Sequence, residues 1–294
     1  MTGQEATGLQ TFETRTLNQT AGDGRAHFLS VVSGKGGVGK TNLVANLAVA
    51  AAGLRARVLI IDGDLGLANL DVLLGLAPLR TLADVLAGRC SVAEALVAGP
   101  RGVMLLPAAS GRSDLAGLSR FELDRLLREI DAVASRFDLI LIDAGAGVGA
   151  PVVALAAASA RTLLLTTAEP TSLADAYATL KVLKRGVPGL RVELIVNEVT
   201  GELEARSAHS QLERMTKRFL KTEIFFRGFL PRDPHLMRAV ARQRAVVEAF
   251  PTAASSRKFV ELADQLLRTL RKQRAGISNG MEAVVARGES CTLD

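Results

Sequence analysis

Residues 28–41 read FLSVVSGKGGVGKT, an apolar run of strand character that ends in a glycine-rich turn and leads into a helical pattern. The turn Gly34-Lys35-Gly36-Gly37-Val38-Gly39-Lys40-Thr41 fits GxxxxGK[ST], a motif whose meaning depends on lying between a strand and a helix. Its glycines let backbone N–H groups curl round phosphate oxygens, and the helix N-terminus adds partial positive charge. Lys40 then reaches the β and γ phosphates, Thr41 ligates Mg²⁺, and Asn42 follows on the first helical turn. The ligands implied are ATP or ADP with Mg²⁺. Lys35 is a further cation that an ordinary phosphate loop does not need for its own nucleotide, and it marks the deviant form of the Walker A motif.

Outward from this turn, short apolar runs at 28–33, 57–62, 103–106, 138–143, 161–167, 191–197 and 224–230 read as strands. Helical patterns at 40–53, 119–135, 149–160, 171–185, 203–221 and 255–273 lie between and after them. Such alternation predicts an α/β fold: a mainly parallel sheet with helices on both faces, of the P-loop NTPase type. The composition suits it, since 48% of the 294 residues are apolar with no Trp and one Tyr, which leaves Ala, Leu and Val to pack a doubly covered sheet. The organisation expected is a flexible arm over 1–26, an ATPase domain over 27–274 and a tail over 275–294. Gly276, Ser278, Asn279 and Gly280 break the pattern before a short segment at 281–287.

Two acidic sites share the edge of the sheet on which the phosphate loop sits. Asp62 and Asp64 close the strand VLIIDGD and Asp143 closes DLILID, at the strand ends where open α/β sheets bind ligands. Carboxylates placed there hold Mg²⁺ directly or through water, and one orients the attacking water for in-line transfer of the γ-phosphoryl group. Thr41, Asp62, Asp64 and Asp143 are the candidate metal set. After the second of these strands, residues 145–150 (GAGVGA) also match a dinucleotide fingerprint, with Glu169 ending the next strand. The phosphate loop already accounts for that edge, and a mobile loop sensing the γ-phosphate fits better.

The remaining features mostly exclude. Cys90 and Cys291 have no CxxC partner, and His27, His209 and His235 are scattered, so neither a disulfide framework nor a zinc site is indicated. The first 26 residues lack the apolar core of a signal peptide and no apolar run reaches the ~20 residues that span a bilayer, which predicts a cytoplasmic protein. A formal charge of +6 is small enough for an ordinary solvated surface.

Taken together, KGGVGKT, DGDLGLANLDVLLGL and LILIDAGAG resemble the MinD/ParA family, and most closely its flagellar-number branch, known as FlhG or FleN. The resemblance runs from about residue 28 to 268. Added support comes from 81–88 (TLADVLAG), 107–110 (PAAS), 169–177 (EPTSLADAY) and 231–251, which begins PRDPHLMRAV. By position it implies that Lys40 and Thr41 bind phosphate and Mg²⁺, that Lys35 crosses a dimer interface to the partner's nucleotide, and that Asp64 orients the hydrolytic water. Asp62 and Asp143 would support the metal and its waters, while Asn197 and the Pro231-Arg232-Asp233 loop would surround adenine.

The activity implied is ATP hydrolysis by an ATP-dependent homodimer that regulates flagellar number and placement as an antiactivator of flagellar genes. The partners implied are an FlhF-type signal-recognition GTPase, a FleQ-type transcriptional activator and flagellar C-ring proteins. The chain departs from the family pattern where Gly63 replaces Ala, where Ala144 replaces Thr, and where residues 4–10 (QEATGLQ) keep only the Ala and Leu of the DQAxxLR docking motif. Relatives end in a membrane-inserting amphipathic helix. Here residues 280–288 offer Met, Val and Ala for that purpose, beside Arg271, Lys272, Arg274 and Arg287, so contact with anionic membrane in the ATP state is expected to be weak and peripheral.

Two readings compete. A DNA-partitioning ParA-type ATPase would use Arg227, Arg238, Arg242 and Arg244 on DNA, and a MinD-type ATPase would act at the division site. A metabolic ligase or kinase would leave Lys35 unexplained, and an iron–sulfur carrier would need paired cysteines.

Overall fold

The computed structural model of the protein describes residues 26–64, 69–108, 120–147, 149–159 and 161–288. The N-terminal arm, its degenerate docking motif, and Cys291 lie outside these residues. Strand β1 (His27–Ser33) leads through the glycine-rich turn into α1 (Lys40–Gly53), and β2 (Val58–Gly63) follows. Three short helices come next, α2 (Leu70–Leu73), α3 (Leu82–Leu86) and α4 (Val92–Ala95). The chain then forms β3 (Val97–Ala98), β4 (Met104–Leu106), α5 (Arg120–Ala134), β5 (Leu139–Ala146), α6 (Ala150–Ala157), β6 (Arg161–Thr167), α7 (Pro170–Gly186), β7 (Arg191–Val199) and α8 (Glu202–Leu220). It ends in β8 (Phe225–Pro231), α9 (Pro234–Ala241), α10 (Val246–Ala249) and α11 (Ala254–Gly288).

All seven expected strands are present. Their order is β3-β4-β2-β5-β1-β6-β7-β8, parallel except where the two-residue β3 runs antiparallel to β4 at one edge. The strand pattern of period two puts alternate residues on opposite faces, and both faces are buried. Val32, Ile61, Ile140 and Leu164 pack with α5, α6, α7 and α8 on one side; Val31, Ile60, Leu141 and Leu163 pack with α1, α10 and α11 on the other. Helix α1 is buried almost all round, from Leu43 to Ala51, because it lies between the sheet and α11. A sequence apolar on every side, AVAAAG at its end, is what such a position selects.

Strand β1 is central, and the chain leaves it toward β2 on one side while β6, β7 and β8 are laid down on the other. Its carboxyl end is therefore the point where the two halves of the sheet diverge, and a crevice opens there.

Local caps explain the short helices that periodicity alone leaves unread. Thr81 with Asp84 and Ser91 with Glu94 form capping boxes that start α3 and α4. At the other end of the chain α11 runs unbroken to Gly288. The break expected at 276–280 does not occur: Gly, Ser and Asn each cost a helix under ~1 kcal/mol, and proline, which would stop it, is absent there.

Candidate functional site

The glycine-rich turn is shaped by close approaches. A Cβ at Gly34 would stand 2.3 Å from the backbone of Asp175 on α7, so only glycine lets the loop pass that helix. Gly37 and Gly39 take φ of +80° and +91°, which side chains disfavour. Asn197, nearly fully buried at the end of β7, donates from Nδ2 to the Val38 carbonyl at 2.8 Å and so braces the loop from the neighbouring strands.

At the start of α1 the Lys40 ammonium is buried. It donates to Asp143 Oδ1 at 2.7 Å and lies 4.0 Å from Asp64 Oδ2. The Thr41 hydroxyl is close enough to Asp143 to favour its charged form. Asp62 Oδ1 accepts from the Asp64 backbone N–H at 3.1 Å, which turns the chain so that Asp64 projects toward the site. Gly145, near the end of β5, runs close by: a Cβ there would sit 3.8 Å from Asp64 Oδ1. Two carboxylates, Asp143 and Asp64, thus flank the Lys40 ammonium, with Asp62 beside them at the end of β2.

Burial dominates the protonation of Asp62 and Asp143. It pushes the Asp62 carboxyl up to about 7, with the charge of Asp143 reinforcing the shift. Burial also raises Asp143, against the pull of Lys40 and Thr41. Asp143 Oδ2 and Asn42 Oδ1 are buried without a hydrogen-bond partner, although buried oxygens are seldom left so. An excess of carboxylate beside an orphaned acceptor and a phosphate loop fits a hydrated Mg²⁺ with a nucleotide. Thr41, Asp62, Asp64 and Asp143 are the residues that would hold the metal and its waters, and the metal would neutralise phosphate charge.

Lys35 stands apart from this group. Its side chain is half exposed, 3.7 Å from Glu169 at the start of α7. Sequence reading assigned Glu169 no partner. Gly147, within the stretch that matches a dinucleotide fingerprint, is tied to the end of β1 next to the glycine-rich turn: its N–H donates to the Ser33 carbonyl at 2.9 Å.

The Pro231-Arg232-Asp233 segment follows β8 on the same edge. The Asp233 carboxylate caps α9, accepting from the backbone N–H and Nδ1 of His235, and clamps α11 by accepting from the N–H and hydroxyl of Ser255. Burial would raise its pKa, but these four bonds hold it well below the usual carboxylate range. Its side chain is therefore committed to structure, a role that Asp followed by Pro at N1 announces in the sequence. Of the arginines considered for DNA, Arg227 is turned inward onto the buried Glu193 and Arg242 stacks 4.9 Å over the Phe250 ring.

Residues 29–246 match the model of the CobQ/CobB/MinD/ParA nucleotide-binding domain family. The chain is 42% identical to the antiactivator FleN of Pseudomonas aeruginosa, over 81% of this chain and 85% of that protein. It is 32% identical to the flagellum site-determining protein YlxH of Helicobacter pylori, over 84% of each. Among solved structures, the septum site-determining protein MinD of Pyrococcus horikoshii, complexed with Mg-ADP, superposes with a TM-score of 0.70 at 28% identity, covering 82% of this chain and 96% of that one.

Proposed function

Because the chain belongs to the CobQ/CobB/MinD/ParA nucleotide-binding family, as one of its ATPases, we propose that it is an ATP-driven dimeric switch that restrains flagellar gene expression and sets flagellar number and placement. The observation that carries the flagellar assignment is the likeness to FleN along four-fifths of the chain, with YlxH in support. The observation that carries the dimer is the position of Lys35. A half-exposed lysine in a phosphate loop is placed to meet a nucleotide held by a second copy.

In this reading the loop from Gly34 to Thr41, with Asn42 behind it, cradles the phosphates. Lys40 exchanges Asp143 for the β and γ phosphates, and Asp64, the most exposed of the three acids, orients the attacking water. Asp62 and Asp143 would hold the metal's waters in place. Asn197 and the backbone of Pro231 and Arg232 border the adenine, with Asp233 fixing that loop from behind. ATP closes the dimer and hydrolysis opens it.

The partners proposed are a FleQ-type transcriptional activator, an FlhF-type GTPase and flagellar C-ring proteins. No helix among the described residues is long and apolar enough to cross a membrane, and any membrane contact is proposed to be peripheral. Expression in a flagellated bacterium lacking its own antiactivator tests the assignment. Restoration of the normal flagellar count by the wild-type chain and not by Lys40→Ala supports it, and no change with either contradicts it.

A further inference from the structure

The edge of the sheet opposite the nucleotide carries a surface that the switch does not use. Strands β6, β7 and β8 begin there, with Arg161 beside Arg191 and Glu193 beside Phe225 in parallel register. One buried carboxylate, Glu193, is shared by three guanidiniums, those of Arg161, Arg191 and Arg227, so positive charge is left over.

The last two turns of α8 bring more. Arg214, Lys217 and Arg218 follow the i, i+3, i+4 spacing that puts side chains on one helix face, and Lys221 follows directly as the left-handed residue that ends the helix. Lys217 is paired with Glu213, and Glu223 is the exposed acid nearby. Cations in a last helical turn are ordinary, since they complement the helix dipole.

Exposed aromatic rings beside them are not. Phe219 is 62% exposed and Phe225 44% exposed, each with a guanidinium over its ring: Arg218 at 5.1 Å and Arg191 at 4.7 Å. Both rings could have been replaced by polar residues at no loss of core.

We propose that this α8–β8 corner, formed by Arg191, Arg214, Arg218, Phe219, Lys221 and Phe225, is a contact surface for an anionic membrane. Cations meet lipid phosphates while the two rings enter the headgroup boundary, the division of labour seen in peripheral membrane contacts. Helix α11 favours a lipid sheet over other polyanions. Its Leu267, Leu270 and Arg271 border a cavity shared with His27 and Asp138 at this same edge, and from there the helix continues to Gly288 with further cations in its sequence. A duplex would gain phosphate contacts but have no place for two protruding phenyl rings. None of these residues belongs to the phosphate loop or its acids, so the surface is distinct from the nucleotide edge.

The test is co-sedimentation of the full-length chain with vesicles of equal parts phosphatidylglycerol and phosphatidylcholine, and with phosphatidylcholine alone. Wild type should pellet only with the anionic vesicles. Arg218→Glu with Lys221→Glu should bind more than tenfold more weakly, at roughly fivefold or more per cation. Phe219→Ser should also weaken binding and Phe219→Leu should restore it. Both sites are exposed, so thermal melting and ATP hydrolysis should be unchanged and report an intact fold. Equal pelleting of wild type and all variants would overturn the proposal. So would no pelleting in ADP or ATP, or binding to a DNA duplex without binding to vesicles.

Discussion

At the scale of single residues, burial sets the chemistry of the acids beside the glycine-rich turn. Lys40, Thr41, Asp62, Asp64 and Asp143 are brought together at the ends of β1, β2 and β5. What could not be read was how the side chains pair, since Lys40 to Asp143, Lys35 to Glu169 and Asn197 to Val38 all join residues remote in sequence. Asp62 offers a prediction free of ligands. Its carboxyl titrates near about 7 when folded and at an ordinary low value when unfolded. Between those values the folded chain holds a proton that the unfolded chain has released, so this group costs stability as pH rises, by at most ~1.4 kcal/mol per pH unit. Asp62→Asn keeps the shape and cannot titrate. In nucleotide-free protein its melting temperature should match wild type near pH 4 and exceed it at pH 8; a parallel pair of melting curves against pH would show that burial does not govern this group.

At the scale of elements, the long strands and helices were legible from their periods, whereas the short helices α2, α9 and α10 depend on packing and local caps. The capping boxes of α3 and α4 were in plain sight as TLAD and SVAE but were not read. A departure from the family pattern also acquires a cause at this scale. A Cβ on Gly63 would lie 2.7 Å from Leu155 Cδ1 on α6 and 3.0 Å from the Asp143 carbonyl, so glycine in β2 accommodates leucine in α6. Restoring the usual residue, Gly63→Ala, should destabilise the protein by about 1–2 kcal/mol through overpacking. Leu155→Val withdraws the offending methyl group. Denaturant unfolding of both single variants and the double should therefore give a favourable coupling of at least ~0.5 kcal/mol, and strict additivity would rule out this contact as the reason for Gly63.

At the scale of the whole molecule, the alternation of strands and helices was enough to anticipate a parallel sheet buried on both faces, but not the order of its strands or the course of α11. That helix crosses the sheet face over α1 and emerges at the edge opposite the nucleotide, which no local pattern specifies. The two edges then hold different chemistry: phosphate and water handling at one, cations and exposed rings at the other. If ATP closes a dimer at the nucleotide edge and Asp64 positions the attacking water, as proposed, removing that acid should lock it. Asp64→Ala should bind ATP, hydrolyse it at least ~100-fold more slowly, and remain dimeric in ATP, as expected when positioning is lost and binding retained. Gel filtration of this variant checks it, and loss of ATP binding would reassign Asp64 to holding the nucleotide.

The most direct measurement is the mass of the 31.0 kDa chain by light scattering after size exclusion, first with Mg-ADP and then with a non-hydrolysable ATP analogue, for wild type and Lys35→Ala. An ATP-driven switch predicts monomer with Mg-ADP, dimer with the analogue, and a Lys35→Ala variant that binds the analogue yet stays monomeric. The same mass in both nucleotides, or a Lys35→Ala variant that dimerises normally, would contradict it.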